Sequence, residues 1–289
     1  MTAALRRLRH PGPPLEPRAE IVAGTGKVVT AVLPAGASLH DAVARELGAR
    51  GIASAVLTFG EIVLDPLVYY LPALVEGSYP RFWYSEGQKP EGGGRLDMAQ
   101  ASFGRRDGEP FIHCHAVWLE RDGQWHGGHV VPAESVLARP AEVRIATLPG
   151  AAILSEHDPE TDYQLFHPVR IEAEAPGAGG VRMAYIRVKP NEDIVRAAEE
   201  ACRQLGYETA TLRGLGSLIG ARFADGTVLD DMGSEVLVTS GRVAPGPDGD
   251  PRAELEICFS GFSGLASRGR LLRGENPVCI TFELLVEEG

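Results

Sequence analysis

Paired cysteines, long apolar runs and an excess of positive charge are all missing from this chain, and each absence narrows what it can be. Its 289 residues include four cysteines, Cys114, Cys202, Cys258 and Cys279. None forms a CxxC pair, and a chain of this size can build a core without a disulfide framework, so they read as reduced, mostly buried thiols. No apolar run approaches the roughly 18–20 residues that a membrane-spanning helix needs. The stretch MTAALRRLRHPGPPLEP carries Arg6, Arg7 and Arg9 but no apolar segment after them, and Pro11, Pro13, Pro14 and Pro17 break any presequence helix early. Residues 1–27 therefore read as an extended arm on a cytosolic protein rather than as a secretory signal. Basic residues number 28 against 39 acidic ones, a net charge of −11. The deficit is shared, with 15 basic and 20 acidic residues over 1–169 and 13 and 19 over 170–289. A surface of that sign repels phosphate backbones and disfavours broad electrostatic binding of nucleic acid.

What is present is a globular composition, 44% hydrophobic and 23% charged, enough to bury a sizeable core. With 35 glycines and 21 prolines, turns are frequent and a strand-rich fold is expected. Two segments repeat one order of elements. VVTAVLPAGASLHDAVARELGARGIASAVLTFGEI and MAYIRVKPNEDIVRAAEEACRQLGYETATLRGLGSL each open with an apolar strand that ends at a proline, Pro34 or Pro190. An amphipathic helix follows. Leu39, Ala42, Val43 and Leu47 mark its apolar stripe in the first copy, and Ile194, Ala197, Ala198, Ala201 and Leu205 in the second. Glycine-containing turns, Gly48 to Gly51 and Gly206, end the helices. Further on, HCHAVWLERDGQWHGGHVV (113–131) lies without gaps over ELEICFSGFSGLASRGRLL (254–272). A period near 155 residues implies two domains, 28–165 and 175–289, with the boundary around 160–180. The first copy holds a long insert, 64–94, rich in proline and glycine and carrying Tyr69, Tyr70, Phe82, Trp83 and Tyr84. A loop of that length either covers a pocket or packs on a neighbouring domain or subunit.

All eight histidines precede residue 170. His113 and His115, at i and i+2 of a strand, face the same way. Arg121-Asp122-Gly123 is a three-residue hairpin turn with glycine in the left-handed position. That loop pairs 120 with 124 and places His115 opposite His129, with His113 diagonal on the same face. Three imidazoles then converge as a facial nitrogen set with an open fourth position, the donor set of many catalytic zinc sites. Gly127 and Gly128 permit close backbone approach, and they also permit a bulge that would shift the register. The same alternation sends His126 to the opposite face and turns Cys114 into the core. Glu109, Glu120 and Glu134 are nearby candidates for a general base, without a motif behind any of them. His157, Tyr163 and His167 fall in what reads as an interdomain loop. In the second copy the matching positions are Glu254, Glu256 and Arg270, and the register sets Glu256 against Arg270 as an ion pair.

The pattern HCH…GGH after a strand–helix–strand with a glycine-rich bend resembles the plants-and-prokaryotes-conserved domain, PPC or PCC. The resemblance covers about 28–148 well and about 183–286 by topology. It implies an α+β fold of two tandem PPC-like domains, each an antiparallel sheet with one main helix, assembling as a homo-oligomer, a trimer. It carries the family's histidine cluster onto His113, His115 and His129. The family is often labelled as candidate DNA-binding. AT-hook segments of its plant members place Arg-Gly-Arg-Pro in the minor groove. Here the one Arg-Gly-Arg, Arg268-Gly269-Arg270, lacks the proline and falls inside a predicted hairpin. The leading expectation is a protein holding a divalent metal, zinc foremost, on His113, His115 and His129, open to enzymatic use on a small molecule by hydrolysis or carbonyl polarisation, with no membrane partner and nucleic acid disfavoured by the charge. A DNA-associated regulator, and a ligand-sensing or scaffold module with hydrogen-bonded histidines, are the rival readings.

Overall fold

The structure, a computed structural model, describes residues 6–75, 81–120, 123–172 and 179–289. Arg121 and Asp122 of the hairpin turn, and parts of the arm, insert and linker, lie outside the described residues. Elements run in the order β1 (Ala19–Leu33), α1 (Leu39–Ala49), β2 (Ala55–Phe59) and β3 (Ile62–Leu64). Within the insert come β4 (Tyr69–Tyr70), β5 (Pro72–Val75) and β6 (Arg81–Tyr84). β7 (Gly94–Arg106), β8 (Glu109–Leu119), β9 (Trp125–Val130) and β10 (Ala141–Thr147) follow, and then a hairpin, β11 (Ala151–Asp158) and β12 (Tyr163–Arg170). The rest is β13 (Val181–Val188), α2 (Ile194–Leu205), β14 (Ala210–Leu218), β15 (Ala221–Arg222), β16 (Val228–Leu229), β17 (Glu235–Pro245), β18 (Pro251–Ser260), β19 (Ala266–Arg270) and β20 (Val278–Glu288). The fold is α+β, almost wholly antiparallel.

Both helices form where their apolar stripes place them. Ser38 caps α1 by accepting from the Asp41 N–H, and Asp193 caps α2 by accepting from the Arg196 N–H. Gly206 closes α2 in the left-handed conformation, at φ +68°. In the main sheet one run is β1-β10-β2-β7-β8-β9, and the other, read outward from the same seam, is β13-β20-β14-β17-β18-β19. The two runs share one connectivity, and they meet where Ala19–Gly26 pair with Val188–Val181. Residues 19–27 are therefore strand rather than arm, which moves the start of the first unit ahead of residue 28. The remaining described arm is also tied down. Arg18 bonds Glu160 at 2.7 Å, and the Leu8 N–H donates to Asn191 Oδ1 at 2.8 Å. The segment expected as an interdomain loop is instead the β11–β12 hairpin, with β11 parallel to the end of β7.

Alternation along β8 decides the layering. Ile112, Cys114, Ala116 and Trp118 point into a core with Leu39, Val43 and Leu47 of α1. A matching core joins α2 to Ile257, Phe259 and Phe282. A third apolar cluster, including Val56, Ile153, Phe166, Tyr185 and Leu285, lies between the two halves of the sheet. The sheet thus folds back on itself, with a helix outside each half. At its far ends Gly127 N–H bonds Gly264 O at 3.0 Å and Ser260 Oγ bonds Gly127 O at 2.7 Å. All four cysteines are free and buried. Among the described residues no helix is long and apolar enough to cross a membrane.

A histidine cluster completed by the second half of the chain

The β8–β9 register is regular and sets His115 opposite His129. The two glycines before His129 introduce no slip. They allow closeness instead, since a methyl on Gly128 would stand 2.9 Å from Tyr70 O and 3.0 Å from the Tyr69 ring. On the other side of β8, β7 places Ser102 opposite His113 and Gln100 opposite His115. His113, His115 and His129 therefore project from one face into the space between the half-sheets. Their ligand atoms lie within 4.8 Å of one another, and the His113 and His115 Nε2 atoms are 3.0 Å apart.

Two carboxylates from the second half meet them. Glu283 of β20 accepts from His113 Nδ1 at 2.8 Å, and Glu235, at the start of β17, has Oε2 2.6 Å from His115 Nε2 and 4.0 Å from His129 Nδ1. His115 Nδ1 bonds the Val236 carbonyl at 2.9 Å. From the insert, the Tyr84 hydroxyl lies 3.1 Å from His129 Nδ1.

These partners fix the protonation pattern. A carboxylate and a carbonyl only accept, so Nδ1 of both His113 and His115 must carry hydrogen. The two Nε2 lone pairs then face each other, with Glu235 beside them, and the centre requires a proton or a metal cation. Burial alone would lower the His115 pKa, but the charge and hydrogen bond of Glu235 outweigh it and the net shift is upward. His129 is pushed well below its ordinary value by burial first and then by its two histidine neighbours and Arg106. Burial opposes ionisation of Glu283, and the charge and hydrogen bond of His113 reverse that, leaving its carboxyl below the usual range. The Tyr84 phenol is driven upward by burial and then by the negative charge of Glu235, so it stays a neutral hydroxyl. The donor set suits a small divalent ion. It offers three imidazole nitrogens, and two of the rings have Nδ1 held by a carboxylate and a carbonyl, the outer support that fixes metal-binding histidines.

The cluster opens into a cavity of about 670 Å³, also lined by Tyr70, Trp83, Arg106, Phe111, His157 and Tyr163. The insert lines this cavity and also packs on the second half, where Phe82 stacks on Phe262 at 6.1 Å. Glu109, Glu120 and Glu134 do not line the cavity. Glu120 serves the α1 side instead, accepting from Trp118 Nε1 at 3.1 Å. His126 lies off the cluster, with Nδ1 4.0 Å from Glu120. His157 and Tyr163 reach the cavity from the hairpin, whereas His167 turns away to Glu20 at 3.0 Å. The second-half register pairs Glu256 with Arg270 in the backbone, but Arg270 makes its ion pair with the diagonal Glu254, at 3.4 Å. Glu254 already holds Arg242, and the guanidinium reaches across to join it.

The Plants and Prokaryotes Conserved (PCC) domain matches residues 176–289. The match thus falls on the half of the chain that holds no histidine, and not on residues 28–148, where the sequence resemblance is fuller. A search of curated proteins found no match. Among solved structures, a metal-containing protein of Archaeoglobus fulgidus is similar at 21% identity and TM-score 0.42, over 51% of this chain and 97% of its own. A plant- and prokaryote-conserved protein of Pyrococcus horikoshii shows 20% identity and TM-score 0.38, over 52% and 97%. A candidate DNA-binding protein of Ralstonia eutropha JMP134 shows 16% identity and TM-score 0.36, over 51% and 97%.

Proposed function

We propose that this chain, whose residues 176–289 match the PCC domain, is a metal-binding protein in which His113, His115 and His129 hold one divalent ion. The observation that carries this reading is the pair of Nε2 atoms 3.0 Å apart, each ring having its other nitrogen committed as a donor. Zinc is the first choice, because three imidazoles are a common zinc set and neutral nitrogen donors suit it. Such an ion would supply Lewis acidity and acidify a bound water.

The chain's own groups would do the rest. Glu283 and the Val236 carbonyl orient the rings. Glu235, close to His115 Nε2, is placed to take up and return a proton at Oε2. Neutral Tyr84 can donate a hydrogen bond at the cavity wall. This arrangement supports hydrolysis or carbonyl polarisation of a small molecule. Two PPC-like domains, the first opening with β1 at Ala19 and the second covering 175–289, would divide the labour: the first supplies the imidazoles and the second the carboxylates. A homo-oligomer, a trimer by the family resemblance, belongs to the same proposal and is read by light scattering. Nucleic acid fits the chain poorly at a net charge of −11.

The test is metal content per chain, by plasma mass spectrometry, of protein purified without a histidine tag. About one ion per chain, lost in the His113→Ala/His115→Ala variant, supports the reading. No ion, even after incubation with excess zinc, removes it.

A further inference from the structure

One cation in the cavity is left over from the metal reading. Arg106, at the end of β7, lines the same space as the histidines. Its Nε donates to Ser155 Oγ at 3.0 Å and its guanidinium lies 3.5 Å over the Phe111 ring. Those two contacts fix the plane of the group and use one of its five N–H donors. No ion pair or further hydrogen bond of Arg106 occurs among the described residues, so its Nη edge is available to the cavity. A planar, half-buried guanidinium with an open edge is matched by a carboxylate, which it can grip with two parallel hydrogen bonds. Desolvation, the largest influence on this group, disfavours its charge, so an anion at that edge would be stabilising.

The walls indicate what the anion is attached to. Phe111 stacks edge-on to Phe166 at 5.6 Å, Tyr70 stacks on Tyr84 at 5.2 Å, and Trp83 lies parallel to Tyr163 at 5.8 Å. Flat apolar faces favour a flat apolar body. The cavity volume, about 670 Å³, is that of a small-ligand site. At the exposed rim Asp162 is paired with His157 at 3.0 Å. Deeper in, a divalent ion and Arg106 together would outweigh Glu235 and Glu283 by one positive charge, which favours a monoanion.

We propose that this cavity binds a small aromatic carboxylate, with its carboxylate on Arg106, its ring between the aromatic walls and its far end toward the histidines. The inference deepens the metal reading and rests on it for the net charge.

The test is calorimetric titration of the zinc-loaded chain with benzoate, phenylacetate and 4-hydroxybenzoate, and with benzamide as the neutral counterpart. Metal content is measured on the same samples. The expected result is saturable binding of at least one carboxylate, with benzamide much weaker. Arg106→Gln should weaken that carboxylate about 10- to 100-fold, because a charged hydrogen-bonding partner is lost. Arg106→Lys, which keeps the charge without the fork, should fall between. Unchanged thermal midpoints would show that both variants fold. A zinc-loaded chain that ignores all three acids, binds benzamide equally, or is indifferent to Arg106→Gln overturns the inference and leaves the metal reading standing. A chain that holds no ion yet binds the acids through Arg106 supports the ligand class and removes the metal reading.

Discussion

Replacing Glu283 with glutamine asks whether the second half of the chain tunes a centre built on the first. The substitution keeps shape and an acceptor oxygen, so the fold should survive. It removes the full negative charge that stands 2.8 Å from His113 Nδ1 at a side chain only 10% exposed. That carboxylate fixes the His113 tautomer and makes Nε2 a stronger donor to an ion. Loss of such an outer partner typically lowers metal affinity 10- to 100-fold, which is about 1.4–2.7 kcal/mol. The assay is competition for zinc against a chromophoric chelator at constant pH. Glu254→Gln is the control: its carboxylate sits on the surface with Arg242 and Arg270 and should change affinity less than twofold. If Glu283→Gln also stays within twofold of the native chain, the Glu283 carboxylate does not tune the site.

The metal affinity should also fall with pH, because Glu235 holds His115 protonated above its ordinary range and a proton at Nε2 competes with the ion. A pH-independent affinity between pH 8 and 5 would contradict that competition. Glu20 makes a separate prediction. Burial would raise its pKa, but the His167 hydrogen bond, the Arg187 charge and Lys189 hold it at about 2 against a usual 4.5. Its carboxylate therefore contributes stability that is full above the usual value and lost as pH falls from 4.5 toward 2, up to about 3 kcal/mol. Urea unfolding across that window should show the loss in the native chain and a flatter profile in Glu20→Gln, and equal slopes would refute it. Trp118→Ala should cost about 3–5 kcal/mol, since the indole is fully buried against Tyr69 at 4.6 Å and its N–H is bonded to Glu120. A loss below 1 kcal/mol in denaturant titration would mean that the α1 core is less consolidated than its packing indicates.

Local pattern explains what could be read in advance. The helices followed from stripes such as Leu39, Ala42, Val43 and Leu47, because one amphipathic segment carries its own periodicity. The facing of His115 and His129 followed from a three-residue turn and strict alternation, both short-range. The same logic correctly turned Cys114 away. Glu235 and Glu283 were not legible, because they arrive over 100 residues later and only folding of the sheet back on itself brings them to the imidazoles. The nearest signal was chemical: Glu283 interrupts the apolar strand CITFELLV, where a carboxylate needs a partner. The hairpin holding His157, Tyr163 and His167 escaped because its strands mix polar and apolar residues on both faces. Backbone register also placed Glu256 against Arg270, but long side chains choose the stronger partner, and Glu254 was already drawing Arg242.

The most direct test of a three-histidine centre is X-ray absorption at the zinc edge of the loaded, untagged chain. Three nitrogen neighbours at about 2.0–2.1 Å, with the multiple-scattering signature of imidazole and one further light atom, are what the geometry predicts. A sulfur shell near 2.3 Å, or six oxygens with no imidazole signature, would place the ion elsewhere and contradict the account.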